Sequence, residues 1–299
     1  KFLSSDPANE AEGQIWYNST SGTFKSVVVS EAWSSAANTI NSRNAAGSAQ
    51  NATQTAGLVF GGRNPPAPAF VSTAEEYNGV GWSATGSLNT ARSYIAGFGI
   101  QTAAVAAGGR LDAAGNNTAG TEEYDGSTWT ANPSPSGDMA SARQMLNGGA
   151  GIITAGLGIG PSATEEYGGT TWTASNALNT TRYSLAAFGT QTAALAAGGG
   201  TPSYSAAVEE YNGTSWTTSP ASLPAVRQAA AGAGTTTDGL IFGGELPGPT
   251  NTTFGYDGST WSAKPNTVIS SHSGSGQGSA SAAIWSNMDS NWYNSEEFN

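Results

Sequence analysis

Five glutamate pairs carry most of the acid chemistry of this chain: Glu75-Glu76, Glu122-Glu123, Glu165-Glu166, Glu209-Glu210 and Glu296-Glu297. Two carboxylates placed across a glycosidic bond can act as acid and base or nucleophile. Here the pairs recur in unit after unit, whereas an active site is built once. Adjacent residues on a strand also face opposite ways. The pairs therefore read as structural. One Glu of each is expected to meet a recurrent arginine of its own or the adjacent unit: Arg43, Arg92, Arg143, Arg182 or Arg227. Five of the seven arginines hold that position.

Other catalytic chemistry has little to draw on. His272 is the one histidine, so a Ser-His-Asp triad could recruit nothing else. It lies 11 residues after Trp261, as Arg227 lies 11 after Trp216, and reads as a polar substitute at the arginine position. With no cysteine and one histidine, zinc and copper sites lack ligands, and no dense Asp run suggests calcium. No cofactor is expected. The net charge of −11 and the scarcity of Lys and Arg argue against nucleic acid and anionic lipid as partners. No apolar run approaches the roughly 20 residues of a membrane-spanning helix. The chain opens on Lys1 rather than Met, which reads as a processed or incomplete start.

The elements that place these residues form a repeat. "TEEYDGSTWTA" at 121–131 returns as "TEEYGGTTWTA" at 164–174, and related copies start at Ala74, Val208 and Thr253. Their tyrosines are Tyr77, Tyr124, Tyr167, Tyr211 and Tyr256, spaced 43 to 47 residues apart. A tryptophan follows each by five residues: Trp82, Trp129, Trp172, Trp216 and Trp261. An apolar run ending in Gly-Gly precedes four of them, at 57–62, 103–109, 193–199 and 239–244. "GIITAG" at 151–156 is taken as the degenerate third copy.

Each unit splits into four short stretches broken by Gly, Asn, Asp and Pro, the spacing of antiparallel strands. Strand a follows the Arg, b runs into the Gly pair, c holds the Tyr and d starts at the Trp. Asp-Gly or Asn-Gly between c and d supplies the positive φ of a tight turn. One such sheet cannot bury both faces, whereas stacked neighbours can. The Ala-rich strand b fits the crowded inner part of such a stack. The Trp fills the wider gap outside, removing roughly 150–250 Å² from water.

The combined pattern resembles the Kelch repeat family, over about residues 27–299. The resemblance implies an all-β fold: a Kelch-type β-propeller of four-stranded antiparallel blades. A copper radical oxidase shares that architecture, but its Cys and His ligands do not exist here. The arginines also invite comparison with sialidases, which clamp a carboxylate with three. Trp33 has the strand d setting without a Gly pair before it. "AAIWSN" at 282–287 and "SEEFN" at 295–299 look like strands b and c of a last unit without a d. Six blades follow, with the ring closed by the N-terminal strand joining the C-terminal blade.

Residues 1–25 fall outside the repeat as an arm, and 26–299 form the propeller. "EGQIWYNSTSGTFK" at 12–25 reads as a hairpin turning at "STSG". It resembles a segment recurring in structural proteins of tailed bacteriophages, especially marine ones. That implies a virion structural or adhesion protein, docked to other virion proteins through the arm. The b–c loops are long and differ between units, with Arg63, Phe70, Arg110, Tyr204 and Glu245 as candidate contacts to a host surface protein or glycan. A homo-oligomer is compatible with this reading. The alternative is a secreted or surface carbohydrate-binding propeller.

Overall fold

The computed structural model describes residues 2–7, 14–26, 31–64, 69–132, 136–161, 163–200, 202–286 and 292–299. The parts of the sequence reading on 12–13, 27–30, 65–68, 201 and 287 lie outside the described residues. The described chain is all-β, without helix. It holds six four-stranded antiparallel sheets and has a β-propeller-like architecture. In the second sheet the strands are Ala96–Ile100, Ala103–Ala107, Thr121–Tyr124 and Trp129–Ala131, paired in chain order. The first, third, fourth and fifth sheets repeat this a-b-c-d order, ending in strands that begin at Trp82, Trp172, Trp216 and Trp261. In the sixth, Ser275–Gly278, Ala283–Ser286 and Ser295–Phe298 are joined by Trp33–Ser35 as the outer strand. Trp33 pairs with Phe298 as Trp82 pairs with Tyr77.

Small residues let these sheets approach. Strand a of each sheet lies beside strand a of the next, and that of the sixth lies beside that of the first. These strands, not the Ala-rich b strands, are the innermost, which corrects the sequence reading. A Cβ on Gly97 would stand 2.2 Å from the Ser48 carbonyl oxygen, and one on Gly149 2.1 Å from that of Gly97. Backbone thus meets backbone there, and only glycine fits. Further out the aromatics wedge the sheets apart. Trp129 meets Phe60 of the preceding sheet at 4.7 Å, and Trp33 meets Phe242 of the fifth at 4.8 Å, both edge-on. The indoles of Trp172, Trp216 and Trp33 donate to Thr121, Thr164 and Thr253 of the preceding sheet (2.9, 3.0 and 3.1 Å).

Two assignments of the repeat change. "GIITAG" is not the end of a strand b. It spans the hairpin between Gly149–Ile152 and Ala155–Ile159, where Ile152 pairs with Ala155. The alternation of Gly and apolar residues on both strands hides that turn. The arginine position of the sixth sheet is Ser271, not His272. The Gly244 amide donates to the Ser271 carbonyl (2.9 Å) just as the Gly199 amide donates to that of Arg227 (2.8 Å). Ser273, two residues on, has the positive φ of 58° that Ala229 has at 52°. The lead-in to this sheet is one residue shorter, so counting from Trp261 overshoots.

The N-terminal arm forms its own sheet. Ile15–Asn18 and Thr23–Ser26 are the hairpin, and Phe2–Leu3 pairs parallel to the first of them. The Asn18 side-chain oxygen accepts from the amides of Thr20 and Ser21 (both 3.0 Å), closing the "STSG" turn. Phe2, Ile15 and Phe24 are 77%, 63% and 75% exposed.

Candidate functional site

The paired glutamates divide their work by face. The first Glu of each pair points inward within its own sheet. Arg43 pairs with Glu75, Arg92 with Glu122 (3.3 Å), Arg143 with Glu165 (2.5 Å) and Arg182 with Glu209 (3.0 Å). These side chains are almost wholly buried, at 8% exposure or less. Amides of the segment leading into the sheet complete the carboxylate's shell. Ile40 and Asn41 donate to Glu75 (2.6 and 3.0 Å), and Asn89 and Thr90 to Glu122 (2.6 and 3.2 Å). Buried charges persist where they are paired and hydrogen-bonded in this way.

The second Glu reaches the next sheet. The Tyr124 hydroxyl donates to Glu76 (2.8 Å), Tyr167 to Glu123, Tyr211 to Glu166, Tyr256 to Glu210 (2.7 Å) and Tyr77 to Glu297 (2.6 Å). The last of these ties the sixth sheet to the first. The third residue after the strand d Trp supplies another partner at several junctions: Thr85 to Tyr124, Asn132 to Tyr167 (2.6 Å) and Ser175 to Tyr211. Burial first, then the facing carboxylate, pushes the Tyr124 and Tyr211 phenols up to about 12. Tyr77, Tyr167 and Tyr256 rise for the same leading reason. A raised folded-state value stabilises the fold below the unfolded value near 10, and the gain fades as pH climbs through the folded value. Native protein at pH 11 should therefore keep Tyr77, Tyr124, Tyr167 and Tyr211 largely protonated. Denaturant at that pH should release their tyrosinate absorbance together, and full ionisation before unfolding would contradict the linkage.

Where one partner of a link changes, the other changes too. In the fifth sheet Phe254 and Gly255 stand where the others have Glu-Glu. Arg227 has no carboxylate among the described residues. It lies over the Phe254 ring (4.7 Å) and donates to the Gly243 and Thr252 carbonyls (2.9 and 3.2 Å). Burial lowers its pKa to about 10. Gly255 offers no acceptor, and the residue that would donate to it is Phe298. The Lys264 chain lies across Gly255 instead and reaches Glu31 (2.5 Å), just before the strand at Trp33. In the sixth sheet Ser271 leaves Glu296 without an arginine. Its carboxylate accepts the amides of Val268 and Ile269 (both 2.8 Å), yet burial dominates and its pKa rises. Its protonated form is thus favoured in the fold. The associated stability is full at acid pH and lost as pH rises through the folded value. Glu296→Gln should gain in melting temperature relative to the parent between pH 4 and pH 8. A difference independent of pH would refute that.

Two departures from the repeat tie several sheets together at their strand a side. Residues 49–56 replace the short a–b turn of the first sheet. The Asn51 amide donates to Gly99 of the second sheet (3.0 Å), its Nδ2 to Gly189 of the fourth (3.1 Å), and its Oδ1 accepts from Gly151 of the third (3.2 Å). Gln54 reaches Phe298 of the sixth (2.7 Å). Extra residues before the third sheet carry Asn147 to the Ala230 and Gly274 carbonyls (3.0 and 3.2 Å), next to strand a of the fifth and sixth sheets. Leu146, Ala45, Ala229 and Tyr94 pack beside it.

The five repeat arginines sit one per sheet, at 7% exposure or less, and do not converge as a carboxylate clamp would. The loop residues lie on the b–c connections. Arg63 pairs with Phe70 in a short ribbon. Arg110 folds onto its own loop, donating to the Asp112 and Ala113 carbonyls (2.8 and 2.6 Å). Tyr204 hydrogen-bonds Glu245 of the adjacent loop, which also accepts from Gln228 (2.9 Å). His272 lies beside Ser273, its Nδ1 at 2.9 Å from the hydroxyl. Among the described residues no cluster of three or more His, Cys, Asp or Glu could hold a metal ion. No protein-family model matches this chain, and no curated protein matches it significantly.

Proposed function

We propose that this chain is a non-enzymatic interaction scaffold: a six-bladed β-propeller of Kelch type serving as a structural or adhesion component of a tailed-phage virion. One observation carries the non-enzymatic part. The recurrent acids and bases are consumed in packing, the inner Glu on Arg and backbone, the outer Glu on a neighbouring Tyr. Six sheets with successive strand a contacts, and a Tyr77–Glu297 link from last to first, support the blade count and closure. The exposed Phe2, Ile15 and Phe24 suit the arm for docking to another virion protein. The b–c loops then face a host protein or glycan. The virion assignment rests on the resemblance of the arm segment. Mass spectrometry of purified phage particles encoding this chain tests it. The chain should copurify as a stoichiometric component. Recovery only as free protein in the medium would favour the secreted carbohydrate-binding alternative.

A further inference from the structure

We propose that the cleft on the outer rim between the fourth and fifth sheets binds an N-acetylated sugar residue. The cleft measures about 400 Å³ and is lined by Pro220, Ser222, Pro224, Ser259, Thr260 and Trp261. That is the size of a small-ligand site. Its lead-in wall lacks a tether that two of the other sheets have. In the second and fourth sheets the lead-in segment carries an Asn whose carboxamide donates to the facing tryptophan carbonyl. Asn89 reaches Trp129 (2.9 Å) and Asn179 reaches Trp216 (3.0 Å). Their backbone amides bind Glu122 and Glu209 (both 2.6 Å). At the matching place, after Leu223, the fifth sheet has Pro224, and Phe254 replaces the glutamate. Proline has neither a carboxamide nor an amide N–H to give. Neither of those two bonds is therefore made here, and the segment meets the rim through the Ala221 carbonyl instead. Trp129 and Trp216 are 6% and 5% exposed, while Trp261 at the cleft, like Trp172 of the third sheet, is half-buried.

The vacated place has the chemistry of an acetamido sugar. An acetamide N–H replaces the Asn carboxamide as donor to the Trp261 carbonyl. The indole is held as a rigid platform, its Nε1 on the Ala221 carbonyl (3.1 Å) and its face on Tyr256 (4.7 Å). An apolar sugar face covers such a ring well. Ser259 and Thr260 already donate to Asp257 (both 2.8 Å), so their hydroxyl oxygens accept from sugar hydroxyls. Ser222 is exposed at the opposite wall. No charged side chain lines the cleft, which suits a neutral ligand.

The inference does not rest on the virion assignment, which particle composition tests separately. The full chain is titrated calorimetrically with N,N′-diacetylchitobiose and with cellobiose, the same disaccharide scaffold without acetamides. The acetylated sugar should bind at least about tenfold more tightly, the worth of one good hydrogen bond. Pro224→Asn should abolish binding by restoring the tether seen in the second and fourth sheets. If that variant does not fold, Ser222→Tyr, at an exposed position, fills the cleft instead. No binding by the parent chain, equal binding of the two sugars, or binding unchanged in the folded variant would overturn the proposal. So would an Asn-bearing peptide that binds where the sugar does not.

Discussion

Arg43→Ala lowers the stability of the chain by about 3–5 kcal/mol, the usual cost of stranding one partner of a buried ion pair. Arg43 and Glu75 are both fully buried, and the arginine also donates to the Gly61 and Thr73 carbonyls (3.2 and 2.5 Å). In a chain this long the loss reads as roughly 10 °C in melting temperature. The fifth sheet supplies the internal control. Arg227→Ala removes hydrogen bonds and a ring contact but strands no carboxylate, so about 1–3 kcal/mol is expected. Arg43→Met combined with Glu75→Leu should cost less than Arg43→Ala alone, because no charge is left behind. Equal losses for Arg43→Ala and Arg227→Ala would show that packing, not charge, dominates.

A chain beginning at Ala36 should lose the sixth sheet as a folded unit, whereas one beginning at Glu31 should melt within a few degrees of the parent. Trp33 is 7% exposed and contacts both Phe242 (4.8 Å) and Phe298 (5.3 Å). Truncating a buried Trp alone costs about 3–5 kcal/mol. Removing the strand also frees the edge of Ser295–Phe298, next to which Ala32 contributes a further backbone bond (2.9 Å to Asn299). An unpaired edge with Phe298 beneath it is a template for aggregation. Thermal melts and light scattering on the two truncations check this. Equal behaviour would mean that the N-terminal strand contributes little to holding the sixth sheet together.

The repeat was legible because each sheet solves the same local problem with the same residues. A tyrosine five positions before a tryptophan, a turn glycine and an Arg ahead of a Glu can be read along one unit. Strand identity, the arm's hairpin and the pairing of Trp33 with the last strand follow from such local pattern. What a linear reading cannot reach are contacts between segments that share no copy. Asn51 and Gly189 lie 138 residues apart, and Tyr77 and Glu297 lie 220 apart. Their meeting depends on how the sheets are arranged relative to one another, which no spacing within one unit records. The arginine position of the sixth sheet falls on Ser271 rather than His272 for a related reason: the hydrogen bond from Gly244 marks it, and distance along the chain does not. That Pro224 and Phe254 together leave out both the amide and the carboxylate of one link becomes visible only when folding brings residues 30 apart to the same sheet.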